Sequence, residues 1–275
     1  DVLSIDVQGD AKTYKTTFVA GNERAVIAKF ADGVTASHCI QRRNAEIVEI
    51  GGLDEFNKFV DKMLEYAAKH GTNGRFCNFV VDPTSMLVDM LKRRELNAAN
   101  AGVKSVLVGE YGESTAPKLY ESVRDIPDAN TKIFPKLGEW IADVGLKFRS
   151  FGWGFTTCTH YSLGYNFELK RSEWRPNIPG SSAFAVSSPA DMMLCTTKVI
   201  PSPGAKPQYV ASFIQEGTKG FGVRVPVSSS IRLPDYNDAS IPPGLTMYQV
   251  VKSDYERACR VAVEENKKYL SAVTG

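Results

Sequence analysis

The sequence predicts an α+β protein with a mixed α/β first half, an antiparallel strand-rich second half and a closing C-terminal helix. Three observations favour this class. Segments rich in β-branched and aromatic residues recur along the chain, apolar residues at helical spacing follow residue 53, and a capped helical pattern ends the chain. A soft boundary near residue 145 separates region 1–145, which begins with β-hairpins, from region 146–275, although the two can form one continuous domain.

The first fifty residues are predicted to be strands. Segments 13–20 and 24–30 flank Gly21-Asn22, which is a hairpin signal between two runs of high β-propensity. Further strands are predicted at 34–40 and 46–50, before two glycines end the run.

A helix is predicted next, because apolar residues recur every three or four positions and Gly71 follows the last of them. They are Leu53, Phe56, Val60, Met63, Leu64 and Ala67. A buried strand at 75–81 follows, and Asp82-Pro83 suits the start of a second helix that runs to about residue 95. Strand and helix therefore alternate in this part of the chain.

The second half favours strands. Segment 104–108 is a strand candidate within a loop-rich connection, and period-two alternation begins near residue 146. Its clearest stretch contains Tyr161, Leu163, Tyr165, Phe167 and Leu169, and further strands are predicted at 192–200, 208–214 and 221–227. Thr246 and Gln249 form a capping box that starts the final helix.

Composition excludes several classes of protein. The net charge of +2 gives no general attraction to nucleic acid or membranes. Five cysteines, an odd number without a CxxC pair, indicate reduced thiols rather than a disulfide framework or a zinc ribbon. With no apolar run long enough to span a bilayer and no signal peptide at the start, we expect a cytoplasmic or virion protein without a membrane partner.

The common catalytic and cofactor-binding motifs are missing from the sequence. The chain has no GxGxxG, GxxxxGK[ST], HExxH or GxSxG pattern, so no cofactor and no metal site are predicted. If the protein is an enzyme, the candidate pair is Cys158 and His160, which share one face of a predicted strand. The alternative is a buried cysteine beside a surface histidine. Asp6, Asp10, Asp82, Asp143 and Asp191 flank predicted strands, where carboxylates can hold a cation but where Asp is common anyway.

Segment 147–155 is the most unusual part of the sequence. In an extended strand its aromatic and cationic side chains would share one face, as in a platform on which single-stranded nucleic acid stacks. The residues of this candidate surface are Lys147, Arg149, Phe151, Trp153 and Phe155, with Lys219 and Phe221 in a second fragment. The segment also resembles the aromatic strand of RNA-recognition and cold-shock domains. The alternative is that the rings fill the protein core, with glycines allowing close packing.

Residues 53–95 combine an amphipathic helix, a buried strand, Asp82-Pro83 and a helix containing Leu91-Lys92. This order resembles the central segment of tailed-bacteriophage major capsid proteins and encapsulins. The resemblance implies a non-enzymatic shell subunit that self-assembles into homo-oligomers. We therefore expect a viral or phage particle component first, a single-stranded nucleic-acid-binding protein second and an enzyme of unrecognised type third.

Overall fold

The computed structural model describes residues 2–9, 13–30, 40, 42–110, 119–166, 170–178, 186, 190–213, 222–223 and 230–274. Within them, ten strands form one sheet flanked by helices. The strands are β1 (Ile5–Gly9), β2 (Ala25–Phe30), β3 (Glu46–Ile50), β4 (Asn78–Asp82), β5 (Gly154–Asn166), β6 (Arg171–Pro176), β7 (Met192–Val199), β8 (Gln208–Ser212), β9 (Gly222–Val223) and β10 (Ser230–Arg232). The α-helices are α1 (Lys15–Ala20), α2 (Leu53–His70), α3 (Thr84–Glu110), α4 (Phe134–Ser150) and α5 (Met247–Thr274).

The centre of the sheet is parallel. Six strands lie in the order β7-β1-β5-β4-β2-β3, and every neighbouring pair among them is parallel. Strands β8 and β10 extend the β7 edge in antiparallel fashion, while β6 and β9 pair antiparallel with β5 and β7. The α+β class is confirmed, as are the antiparallel pairs of the second half and the closing helix. Strands from both sides of residue 145 share this sheet.

The hairpin predicted at the start of the chain is wrong. Residues 15–20 form α1, and β2 pairs in parallel with β3 and β4. Phe18 and Val19 are buried, and the Phe18 ring lies 5.9 Å from the ring of Tyr248 on α5. Packing under α5 therefore overrides the β-propensity of this short segment.

Several local patterns are confirmed. Helix α2 and strands β3 and β4 lie where the sequence predicts them. The predicted strand at 104–108 is wrong, because α3 continues from Thr84 to Glu110 through an alanine-containing stretch that favours helix. Of the predicted strand at 34–40, only residue 40 lies within the described residues.

The capping box of the last helix is confirmed. The Thr246 backbone N–H donates to Oε1 of Gln249 at 2.9 Å, and the Gln249 N–H donates to Oγ1 of Thr246 at 3.2 Å. The same Thr246 hydroxyl donates to the carbonyl of Gly21 at 3.2 Å. The start of α5 is therefore tied to the end of α1.

Two apolar cores lie on opposite faces of the sheet. Ile5 and Val7 of β1 pack with α1 and α5 in one core. Phe79 and Val81 of β4 pack with α2, α3 and α4 in the other. The side chains of Asp6 and Gln8 alternate with the apolar residues of β1, so they point to the face opposite α1. Two polar side chains of β1 are thus buried within the sheet, on the face that α2, α3 and α4 cover.

Candidate functional site

Buried charged and polar side chains lie on neighbouring strands of the parallel sheet, near the level at which β1, β2 and β4 end. They are Asp6 and Gln8 on β1, Lys29 on β2, Asp82 on β4, Thr157 and Thr159 on β5, and Thr196 on β7. The register places Lys29 opposite Asp82, and Asp6 opposite Thr157, across neighbouring strands. Charged groups are rarely buried without a partner or a function. This strand end is therefore the candidate site.

Lys29 and Asp82 form a buried ion pair. The Lys29 ammonium donates to Oδ2 of Asp82 at 3.2 Å, and the two side chains are 6% and 4% exposed. Asp82 ends the apolar run of β4, and Lys29 lies near the end of β2. Because both side chains are almost excluded from solvent, the attraction between the two charges offsets part of the cost of burying each of them.

A second polar group lies around Asp6, the second residue of β1. Oδ1 of Asp6 accepts a hydrogen bond from the Thr157 hydroxyl at 2.7 Å, and Oδ2 accepts one from Nε2 of Gln8 at 2.5 Å. These two bonds fix the orientation of the carboxyl group in the sheet interior.

Lys15, the first residue of α1, is folded back over the end of β1. Its ammonium is buried and donates to the carbonyl of Gly9 at 2.9 Å. Gly9 has φ +152°, and a Cβ there would lie 2.5 Å from the Thr196 carbonyl, so the tight exit from β1 requires glycine. The Thr13 and Thr196 hydroxyls are hydrogen-bonded at 2.9 Å. Contacts at residues 9, 13 and 15 therefore hold the chain in place between the end of β1 and the start of α1.

The candidate site lies where the helices that follow the parallel strands change from one face of the sheet to the other. Helix α1 follows β1 and packs on one face of the sheet, whereas α3 follows β4 and packs on the other. Strand β5 separates β1 from β4. In open parallel sheets, a crevice outside the carboxyl ends of the strands at such a change is the usual ligand position. Lys15, bonded to the last residue of β1, and Asp82, the last residue of β4, lie on either side of β5 at these strand ends.

Cys158 lies beneath these groups on β5. Burial raises the pKa of its thiol well above the ordinary value, and the Asp82 carboxylate raises it further, while Lys15 and Lys29 act in the opposite direction. His160 is half-buried farther along β5, with its Cα opposite Gly9. A raised thiol pKa is the reverse of what a nucleophilic cysteine needs.

We expect Cys158 to be unreactive in the native protein. Since the thiolate is the reactive form and its pKa is raised, the thiolate fraction at pH 8 is below that of an ordinary cysteine. Alkylation with iodoacetamide, followed by peptide mass spectrometry, should modify Cys158 at least about 100-fold more slowly than the half-buried Cys259. Unfolding in urea should make the two rates equal. Equal rates in the native protein would contradict this expectation.

The aromatic and cationic face predicted over 147–155 does not form. Lys147 and Arg149 lie in the last turns of α4, and the strand begins only at Gly154. Trp153 and Phe155 are each 2% exposed and belong to the core, whereas Phe151 is 37% exposed. The predicted strand is wrong because the helix period continues through Phe148, which is itself buried. Lys219 and Phe221 lie outside the described residues.

Sequence patterns do not identify Lys15 or Lys29 as part of a site, and they mark Asp82 only as one of five aspartates beside predicted strands. One signal was present: Gly9 and Lys15-Thr16 have the spacing of the strand–GxxxxGK[ST]–helix motif, with Tyr14 where the motif has its second glycine. A search that requires both glycines excludes this segment. Lys29 resembles any polar residue in a strand.

Comparisons with known proteins do not assign this chain to a family. A scan against protein-family models found no match for the chain, and a search of curated proteins found no similar sequence. The resemblance of residues 53–95 to phage capsid proteins stays a prediction. Within the described ranges, which omit Asp10, no three His, Cys, Asp or Glu side chains converge as a set of metal ligands, and no helix there is long and apolar enough to cross a bilayer.

Proposed function

We propose that this protein binds a nucleoside triphosphate with Mg²⁺ at the carboxyl end of β1, as P-loop nucleotide-binding proteins do. The observation that carries the proposal is the joint placement of Lys15 and Asp82. The lysine follows β1 with the spacing of the motif and begins α1, and the aspartate ends a buried strand two positions away in the sheet.

Lys15 is the proposed phosphate ligand. In the nucleotide-binding motif, the lysine reaches the β- and γ-phosphates from the first turn of the helix. Here the ammonium donates to the Gly9 carbonyl, which is a weaker acceptor than a phosphate oxygen. A triphosphate placed over the end of β1 would therefore draw this donor from the carbonyl to the phosphates.

Thr16 and Asp82 are the proposed contacts for Mg²⁺. In this motif the hydroxyl after the lysine binds the metal directly, and an aspartate at the end of a nearby strand completes the site. Mg²⁺ keeps several waters and binds through one or two carboxylates together with substrate phosphates. One carboxylate and one hydroxyl are therefore sufficient, and a preformed cluster of three ligands is not required.

Calorimetric titration with ATP and with GTP tests the proposal. We expect saturable binding of at least one triphosphate in the presence of Mg²⁺, and much weaker binding in EDTA. Lys15→Met keeps a side chain of similar length but removes the positive charge. It should weaken triphosphate binding by about 100-fold, since hydrogen bonds to charged groups contribute about 1.5–3 kcal/mol each.

Lys62→Met is the matched control, because Lys62 is exposed on α2 and lies outside the candidate site. It should bind nucleotide like the wild type. The proposal would be wrong if the folded wild type binds neither triphosphate, or if Lys15→Met and Lys62→Met bind equally well.

Self-assembly into particles and binding of single-stranded nucleic acid stay predictions. Neither conflicts with a nucleotide site, because assemblies and nucleic-acid-binding proteins can both use bound triphosphates. The burial of Trp153 and Phe155 supports the core interpretation of that segment.

A further inference from the structure

The residue before Lys15 has an unusual conformation. Tyr14 has φ 64° and ψ 23°, which is the left-handed region that glycine adopts without cost and that bulky residues rarely adopt. Its carbonyl accepts the Phe18 N–H at 2.8 Å, so this conformation sets the direction in which the chain enters α1. Unfavourable backbone conformations persist when surrounding contacts hold them, and they gather at functional sites.

Tyr209 on β8 supplies such a contact. The rings of Tyr14 and Tyr209 meet edge to face, with their centroids 4.2 Å apart and an interplanar angle of 64°. Burial raises the pKa of the Tyr209 hydroxyl, and a side-chain hydrogen bond with Tyr14 raises it further. Tyr209 is itself fixed in the sheet, where its carbonyl accepts the Leu233 N–H at 2.8 Å. The ring contact therefore connects the residue before Lys15 to a strand that is paired on both sides in the sheet.

We infer that Tyr14 and Tyr209 form an aromatic brace that holds Lys15 in its phosphate-binding position. The inference rests on the proposed function and concerns two positioning residues rather than catalytic ones. The brace takes the place of the second motif glycine: where glycine would adopt the left-handed conformation freely, this chain uses a tyrosine and an aromatic partner from β8. Nucleotide affinity should therefore depend on Tyr209, which lies on a strand outside the motif.

A double-mutant cycle tests the brace by calorimetric titration with the triphosphate that binds the wild type, in Mg²⁺. Tyr209→Ala should weaken binding by about tenfold, because the left-handed conformation of Tyr14 then loses its support. Tyr14→Gly should bind within about threefold of the wild type, because glycine adopts that conformation alone. The informative variant combines the two. With glycine at position 14, Tyr209→Ala should cost no further affinity.

Tyr209→Phe separates the ring contact from the hydrogen bond and should retain most of the affinity. Melting temperatures without ligand show whether each variant is folded. A general packing role for Tyr209 would lower the affinity equally with tyrosine or glycine at position 14, so the rescue by Tyr14→Gly is specific to the brace.

The outcomes distinguish the brace from the proposed function. If the wild type binds nucleotide and Lys15→Met does not, while Tyr209→Ala binds like the wild type, the brace is wrong and the nucleotide site stands. Failure of Tyr14→Gly to rescue Tyr209→Ala also overturns the brace. If the wild type binds no triphosphate, the proposed function and the brace both fall.

Discussion

Lys29→Met is expected to lower the free energy of unfolding by about 3–5 kcal/mol, because it leaves the Asp82 carboxylate buried beside an uncharged side chain. The Lys29 ammonium lies 3.2 Å from that carboxylate, and both side chains are more than nine-tenths buried. Removing one member of a buried pair exposes the full desolvation cost of the other. Urea unfolding at 25 °C measures the loss, with the slope of the transition as a check that the unfolded state is unchanged.

The double variant Lys29→Met/Asp82→Asn is the informative control. It removes both charges, so most of the lost stability should return, whereas two independent structural contacts would give additive losses. Lys62→Met again serves as the surface control, and it should change the free energy of unfolding by no more than about 0.5 kcal/mol. A Lys29→Met protein as stable as the wild type would show that the buried pair is not formed.

Trp153→Ala is expected to lower the free energy of unfolding by a similar amount, about 3–5 kcal/mol, as truncation of a large buried aromatic side chain does. Trp153 is 2% exposed, and its indole N–H donates to the Gly71 carbonyl at 2.7 Å. Its ring lies 5.7 Å from that of Phe148 and 5.9 Å from that of Tyr66. It therefore joins α4 to the end of α2.

Two variants serve as controls for Trp153. Trp153→Phe keeps an aromatic ring but loses the hydrogen bond, so it should lose less stability than Trp153→Ala. Phe151→Ala, at the exposed position of the same segment, should change stability by less than about 1 kcal/mol. If Trp153→Ala melts like the wild type, the tryptophan is not a core residue, and the aromatic platform predicted from the sequence regains support.

Local signals in the sequence were sufficient for some elements. The spacing of apolar residues and the glycine after His70 predict α2, and the Thr246–Gln249 box predicts the start of α5, because helix hydrogen bonds and caps join residues close in the chain. The parallel sheet was not predictable in this way. Its strand pairs join segments far apart in the sequence, such as β1 with β5 and β7, and parallel pairs are not linked by a short turn that a sequence pattern could indicate.

The start of the chain shows why propensity failed. Segment 15–20 contains threonine, phenylalanine and valine, which favour strands, yet it forms a short helix because its apolar side chains pack beneath α5. A strand over 13–20 would lack the strand-to-helix order in which a motif lysine begins a helix, as Lys15 does here. Tyr14 also breaks the GxxxxGK[ST] pattern, because it occupies the position of the second glycine. Its backbone nevertheless adopts the left-handed conformation for which glycine is normally required.

The segment 147–155 shows a different kind of ambiguity. Alternating aromatic and small residues satisfy a period of two over a few positions, but α4 continues to Ser150 and only the last rings enter the strand. Burial decides between a core and a surface platform, and burial depends on which elements pack over the segment.

The most direct test of a nucleotide site is a crystal structure of the protein with Mg²⁺ and a non-hydrolysable triphosphate, chosen from the titrations as the tighter ligand. We expect the phosphates over the carboxyl end of β1, with β- and γ-phosphate oxygens within hydrogen-bonding distance of the Lys15 ammonium and the metal on the side of Thr16 and Asp82. A nucleotide bound elsewhere, or no nucleotide at saturating concentration, would contradict the proposed function.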